Sequence, residues 1–296
     1  MPLPDGVLAR PLADADVDAV VELVNACELA DAGRVMMERA DLLSDIGTDG
    51  FDRDRDAVVV SEDDRLVAWG LIVHRRGRWA DVHPDARGRG IGTWLVRWSE
   101  DRGRELGTDR IGQTIEDART DVAAMFGAAG YTPRRTSWIL RMDHPSQPEP
   151  PTPPVDVELR GVQAGEEDET LAMFEAAFMD FEDRLPSSLA TWRSMTFQRE
   201  GFVPEDLVVA VHEGEIVGGA FLIDSGEIWV EKLAVRRDQR QRGIARALMQ
   251  TAFVRSFERG YTHTSLSTDS NTGALTLYER VGMRVVESFT HHAIDL

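Results

Sequence analysis

The sequence predicts an α/β protein built from two tandem copies of one fold, each a mixed, mainly antiparallel central sheet flanked by helices. Three observations predict it. The chain repeats itself: residues 65–72 resemble 215–222, Arg87-Gly-Arg-Gly90-Ile-Gly92 matches Arg240-Gln-Arg-Gly243-Ile-Ala245, 126–131 resemble 278–283, and 7–10 resemble 157–160. These matches keep their order at a near-constant offset of about 150 residues. Between the copies, residues 144–154 are so rich in proline that they read as a stiff, extended linker. Within each copy, short β-type runs alternate with helical patterns, and a tight hairpin sits between the second and third strands. The expected organisation is a first domain over 1–144, a linker over 145–154 and a second domain over 155–296.

In the first copy, 7–10 is a strand and the apolar positions of 17–24 mark an amphipathic helix. A second helix is expected over 33–45, strands at 57–60, 66–74 and 78–82, and a hairpin turn at 62–64. A helix runs from the Gly-rich turn 87–92 to about Leu106. A strand at 111–115, a short helix at 121–129 and a strand at 136–141 close the copy. The second copy is expected to repeat this. Its strands are 157–159, 207–211, 216–223, 228–235, 264–267 and 284–294, and its helices 167–178, 186–196, 244–258 and 271–281.

Composition narrows the function. Of 296 residues, 42% are hydrophobic, enough for real cores. No apolar run approaches the roughly 20 residues of a membrane span, and the start lacks a signal-peptide pattern. A net charge of −19 argues against nucleic acid or an anionic membrane as the main partner. Cys27 is the only cysteine, so no intrachain disulfide forms, and a cytoplasmic protein is expected. Cys27 itself reads as a small buried hydrophobe. Lys232 is the only lysine, which nearly removes lysine chemistry. The histidines are scattered, so no metal is expected. No Gly-x4-Gly-Lys-Ser/Thr stretch is present, which disfavours a P-loop.

The central feature is the stretch 230–247, a strand, a basic turn and the opening of a helix. Gly243 lets a ligand approach the backbone. The free amides and dipole of the helix start suit a phosphate or pyrophosphate. The Arg-x-x-Gly-x-Gly/Ala pattern is weak alone, but it sits between strand and helix and occurs twice.

Together with Asn271, Tyr278, Gly282 and Met283 downstream, these motifs resemble the GNAT superfamily of acetyl-CoA-dependent N-acetyltransferases over nearly the whole chain. The layout is similar to mycothiol synthase-like tandem members. The resemblance implies that Arg240, Gln241, Arg242, Gly243, Ile244 and Ala245 hold the CoA pyrophosphate. It also implies that the backbone of Leu233, Ala234 and Val235 pairs with pantetheine and polarises the thioester. Glu231 is the candidate base for the attacking amine, with Glu227 in reserve. Strand alternation would put Glu231, Leu233 and Val235 on one face and Lys232 on the other. Tyr278 is the candidate acid toward the CoA thiolate. Asn271 either contacts the cofactor or caps the helix carrying Tyr278.

The first copy keeps the turn (Arg87, Gly88, Arg89, Gly90, Ile91, Gly92) but has Phe126 for Tyr278, Arg119 for Asn271 and Arg78 for Glu231. It is expected not to catalyse, whether it still binds acetyl-CoA or once did; Asp81 and His83 read as strand-end residues rather than proton carriers. Phe174, Phe178, Phe181 and Trp192, with Asp180, Glu182 and Asp183, fall where this family shapes its acceptor pocket. The expected activity is acetyl transfer to a primary amine of a small molecule, such as an amino sugar or aminoglycoside-like metabolite, with a peptide less favoured. The alternative is a degenerate acyl-CoA sensor or scaffold. Pairing of the two domains within one chain favours a monomer over a homodimer.

Overall fold

The computed structural model describes residues 2–35, 37–48, 50–73, 77–178 and 187–296. The first copy contains β1 (Val7–Pro11), α1 (Val17–Ala32), α2 (Arg39–Ile46), α3 (Arg53–Asp56), β2 (Ala57–Glu62), β3 (Arg65–Val73), β4 (Gly77–Val82), α4 (Ile91–Glu105), β5 (Arg110–Glu116), α5 (Thr120–Ala128) and β6 (Thr132–Asp143). The second contains β7 (Val157–Gly161), α6 (Glu167–Phe178), α7 (Leu189–Met195), β8 (Leu207–His212), β9 (Glu215–Asp224), β10 (Ile228–Val235), α8 (Ile244–Glu258), β11 (His263–Asp269), α9 (Leu275–Arg280) and β12 (Arg284–Asp295).

The turns explain several boundaries. Asp63 and Asp64 both take positive φ between β2 and β3, as do Glu213 and Gly214 between β8 and β9. That conformation matches the right-handed twist of a tight hairpin. Gly33, at φ 70°, stops α1, so the following helix begins at Arg39 rather than at residue 33. Ser188 caps α7 by accepting from the Thr191 amide at 3.1 Å.

Chain contacts divide the molecule into two compact units, 1–134 with 289–296, and 135–288. The division differs from the sequence expectation at the two terminal strands. In the first unit β1-β2-β3-β4 form an antiparallel sheet, and β5 pairs antiparallel with the end of β12, from Phe289↔Glu116 to Asp295↔Arg110. In the second unit β7-β8-β9-β10 are antiparallel, β11 joins β10 in parallel, and the far side of β11 is taken by residues 137–143 of β6. Each unit is therefore completed by a strand from the other copy. Local sequence cannot show this, because strand partners are chosen by distant surfaces.

In both units helices cover the two sheet faces. One face of the second unit packs Phe174, Trp192, Leu207, Val209, Phe221 and Ala234 beneath α6 and α7. The other packs Val217, Leu222, Val230, Ile244, Leu248 and Tyr278 beneath α8 and α9. Helix α8 presents Ile244, Leu248, Met249, Ala252 and Phe253 to this core at helical spacing, and Gly260 at φ 84° ends it. Truncating a fully buried side chain such as Leu248 to alanine costs about 2–5 kcal/mol.

Within the second unit, Thr152 of the proline-rich stretch donates through its amide to the Gln250 side chain of α8 at 3.2 Å.

Candidate active site

Strand β10 carries the site of the second unit. Its pairing with β9 is regular from Ile228↔Asp224 to Val230↔Leu222, then resumes at Lys232↔Phe221. Glu231 is the extra residue of a β-bulge. A bulge flips the side-chain alternation. Lys232 therefore shares the α6/α7 face with Phe221, while Leu233 and Val235 belong to the opposite core. The expectation that Glu231 shares a face with Leu233 and Val235, away from Lys232, is corrected. Glu231 and Lys232 line one pocket with Phe221, Ile223, Thr196 and Arg199. The Trp229 indole donates to the Glu231 carboxylate at 3.2 Å.

The bulge coincides with a parting of the sheet. The parallel ladder between β10 and β11 runs from Ile228↔Thr264 to Val230↔Leu266 and ends there. Among the described residues, 231–235 have no strand partner on the β11 side. This leaves a wedge-shaped cleft whose β10 wall is main chain.

At the open end of the wedge lies the mouth of α8. Gln241 (φ 64°) and Gly243 (φ 90°) both adopt left-handed backbone, and a Cβ on Gly243 would meet nothing within 4 Å. No side chain caps α8 at Gly243, and the first amides of a helix lack partners within it, as an anion site requires. The Arg240 guanidinium points elsewhere: its Nε donates to the Val235 carbonyl at 3.1 Å and an Nη to the Ala177 carbonyl at 2.9 Å. Arg242 pairs with Asp156 at 2.5 Å. Gly243 and the neighbouring main chain thus form the cradle, and Arg240 braces it.

Tyr278 sits on α9 in the core with Leu233, Val235 and Ile244, on the face opposite Lys232. Burial pushes its phenol up to about 12, so it holds its proton across the physiological range. Helix α9 begins at Leu275 with Ala274 as N-cap, so Asn271 lies upstream of the cap in an exposed turn. Thr272 instead accepts from the Ala274 amide at 3.2 Å. Glu227, the reserve base, accepts from Ser265 Oγ at 2.5 Å and lies 2.9 Å from His263 Nε2. Phe174 and Trp192 are core residues, with ring centroids 5.2 Å apart. Phe181, Asp180, Glu182 and Asp183 lie outside the described residues.

The first unit has a larger cleft. Strands β4 and β5 share no ladder pairing among the described residues, and a cavity of about 630 Å³ opens beside them. It reaches from the turn residues Arg87, Gly88, Gly90 and Gly92 to Arg78 and Phe126. Gly90, at φ 87°, matches Gly243. Arg87 repeats the brace of Arg240, donating through Nε to the Val82 carbonyl at 3.0 Å. It also grips Asp31 with two bonds of 2.7 and 2.9 Å, and Arg119 holds the same carboxylate. Arg89 pairs with Glu62. Strand β4 has no bulge: its register with β3 is continuous from Ala68↔Val82 to Val73↔Gly77. Cys27 is buried, and burial pushes its thiol up to about 12, which leaves it unreactive.

Sequence reasoning missed Arg199, Met195 and Thr196 as pocket residues, and Asp31 as the anchor of two arginines. No motif marks them, since their place depends on how α1 and the segment after α7 pack over the sheet.

The Acetyltransferase (GNAT) family model matches residues 17–131 and again residues 169–283. The chain belongs to the GNAT acetyltransferase family. It is a tandem GNAT N-acetyltransferase, and this family uses acetyl-CoA. A mycothiol acetyltransferase of Thermobispora bispora is 27% identical over 295 residues, 95% of each chain. Another, from Pseudarthrobacter chlorophenolicus, is 28% identical over 76% of this chain and 69% of its own. The crystal structure of a GCN5-related N-acetyltransferase from Sphaerobacter thermophilus superposes with a TM-score of 0.79, at 32% identity, covering 99% of this chain and 97% of that one. A tandem GNAT protein from the clavulanic acid biosynthesis pathway shares the fold, with a TM-score of 0.67 at 16% identity over 98% of both chains. In the second unit the open space beyond Gly243, its positive φ and, among the described residues, an unpaired strand edge beside it fit acetyl-CoA; Gly90 repeats the positive φ in the first unit.

Proposed function

We infer that the second GNAT unit transfers the acetyl group of acetyl-CoA to a primary amine of a small molecule, by direct attack of the amine on the thioester. Bound acetyl-CoA supplies an activated acyl group and a thiol leaving group. The amides of residues 241–245 and the α8 mouth hold its pyrophosphate, and the free edge of 233–235 orients its arm and polarises the carbonyl. Glu231 takes the proton that an alkyl ammonium must lose before it attacks. Tyr278 gives a proton to the departing thiolate. In this reading the first unit binds acetyl-CoA without turnover, since Phe126 has no proton to give and Arg78 stands where Glu231 stands.

One observation supports this most: the bulge puts Glu231 in a pocket on the α6/α7 face, while Tyr278 packs on the opposite face of the same strand. Base and acid then stand on the acceptor and thiol sides of one cleft. Glu227 is the weaker candidate, because Ser265 and His263 already engage its carboxylate. A cytoplasmic monomer acting without a metal completes the reading.

The experiment is CoA release from acetyl-CoA with a panel of amines, beginning with mycothiol-type amines because relatives at 27–28% identity are mycothiol acetyltransferases. Glu231→Gln and Tyr278→Phe are each expected to lower kcat by about 10²-fold or more while acetyl-CoA still binds. Undiminished turnover in either variant removes that residue from the mechanism.

A further inference from the structure

The β-bulge of β10 brings Glu231 and Lys232, neighbours that regular alternation would part, to one pocket of about 200 Å³. Lys232 is the only lysine of the chain. Arg199, from the segment after α7, adds a second cation to the lining. The other lining residues are Thr196 and the apolar Met195, Phe221 and Ile223. Phe221 and Ile223 alternate along β9, so both belong to the face beneath α6 and α7.

Neither cation is neutralised within the chain. Among the described residues, the side chains of Lys232 and Arg199 make no ion pair and no hydrogen bond. Other arginines of this unit are held: Arg193 by Asp168, Arg236 by Glu215 and Asp238, and Arg242 by Asp156. The Glu231 carboxylate accepts from the Trp229 indole at 3.2 Å, which leaves its second oxygen to an ammonium. The whole chain carries −19 and repels anions in general. Two open cations at one pocket therefore mark a place where an anionic group can be held. Charges of both signs beside apolar walls match one kind of molecule, with an ammonium, a carboxylate and an apolar side chain on a single carbon.

We propose that the acceptor of the second unit is an α-amino acid with an apolar side chain. Its amine meets Glu231, its carboxylate meets Lys232 and Arg199, and its side chain packs on Met195, Phe221 and Ile223. Arg199 offers a planar fork to the carboxylate and Lys232 a point charge. The proposal rests on the reading of Glu231 as the base of the second unit. In the step itself the ammonium loses one proton to Glu231, and its nitrogen bonds the acetyl carbon as the C–S bond breaks. The thiolate takes the Tyr278 proton, the surplus proton on nitrogen replaces it, and Glu231 returns its own to solvent. The products are an N-acetyl amino acid and CoA.

CoA release from acetyl-CoA by the full-length chain tests this with L-leucine, L-methionine and L-phenylalanine, each against its own carboxamide. The amide keeps the shape and loses the charge. Its amine also gives up a proton more readily, so basicity alone would favour the amide. The acids are expected to show kcat/KM at least about tenfold above their amides. Lys232→Met and Arg199→Met should each shrink that ratio, chiefly by raising KM for the acid, and the double variant should abolish it. Lys232→Arg should keep most of it, because the charge stays. Methionine replaces each cation with an apolar chain of similar length, and melting transitions check that the variants fold. Equal kcat/KM for acid and amide, a preference that survives the double variant, or no turnover of any of the three acids overturns the proposal. Where Glu231→Gln still abolishes acetylation of the amides, the reading of Glu231 stands and only the amino-acid assignment falls. Turnover untouched by Glu231→Gln removes both.

Discussion

At the residue scale, environment decides chemistry more than identity does. Asp81 and Glu231 are both strand carboxylates. Glu231 lies on an exposed bulge, while Asp81 is walled by protein at the edge of the first cavity, with the fully buried Trp69 indole donating to it at 3.0 Å. Burial raises the Asp81 pKa, the indole bond opposes that, and the charges of Glu28 and Asp31 add to the rise. The sign for stability follows from proton counting. The folded state holds this proton to higher pH than the unfolded chain, whose aspartate titrates near 3.8. The ionised carboxylate therefore destabilises the fold as pH rises through the folded value, and costs nothing below 3.8. Asp81→Asn keeps an acceptor for Trp69 and removes the charge. Thermal melts should show the variant more stable than wild type at pH 7 and equal to it at pH 3.5 or below; an Asn variant less stable at pH 7 would show that the charge is used. Sequence revealed Asp81 only as a strand-end residue, because nothing local says how deeply a strand end is packed.

At the element scale, one extra residue in β10 separates the two units. Val230 and Leu233 face the same core despite an odd spacing, because Glu231 bulges between them. Removing Glu231 should restore a continuous strand without turning any core residue outward, so the deletion variant is expected to fold with a nearly unchanged melting temperature. It should lose turnover as fully as Glu231→Gln, and also raise KM for acetyl-CoA, since a straight β10 closes against β11. If the deletion and the glutamine variant behave identically, with KM unmoved, the bulge serves only to carry the carboxylate. The strand, its turn and the helix after it were legible from apolar runs and Gly243. The bulge was not, because it exists only as a mismatch between two strands, and alternation read from one strand misassigned Lys232.

At the scale of the whole molecule, the repeat is plain in sequence while the exchange of terminal strands is hidden. Seven ladder pairs join the end of β12 to β5, and Ile294 and Leu296 pack with Ile111 and Phe126 in the first unit. A chain ending at Ser288 loses this strand, exposes the β5 edge and gives up apolar burial of about 3 kcal/mol. The first unit is expected to melt roughly 10 °C lower. A synthetic peptide of residues 284–296 should restore the transition in a concentration-dependent way. A truncated chain that melts as the intact one does would show that β12 contributes no stability to the first unit.

The sequence by itself determined the family, the duplication, most helices and hairpins, and the two glycine turns, because each is written in local periodicity and short motifs. Tertiary structure alone decided where the terminal strands pair, which face Glu231 and Lys232 share, and that Arg78 lies buried against the rings of Phe126 and Tyr131. Those outcomes depend on register and packing between segments far apart in the chain, and neither quantity has a signature within any one of them.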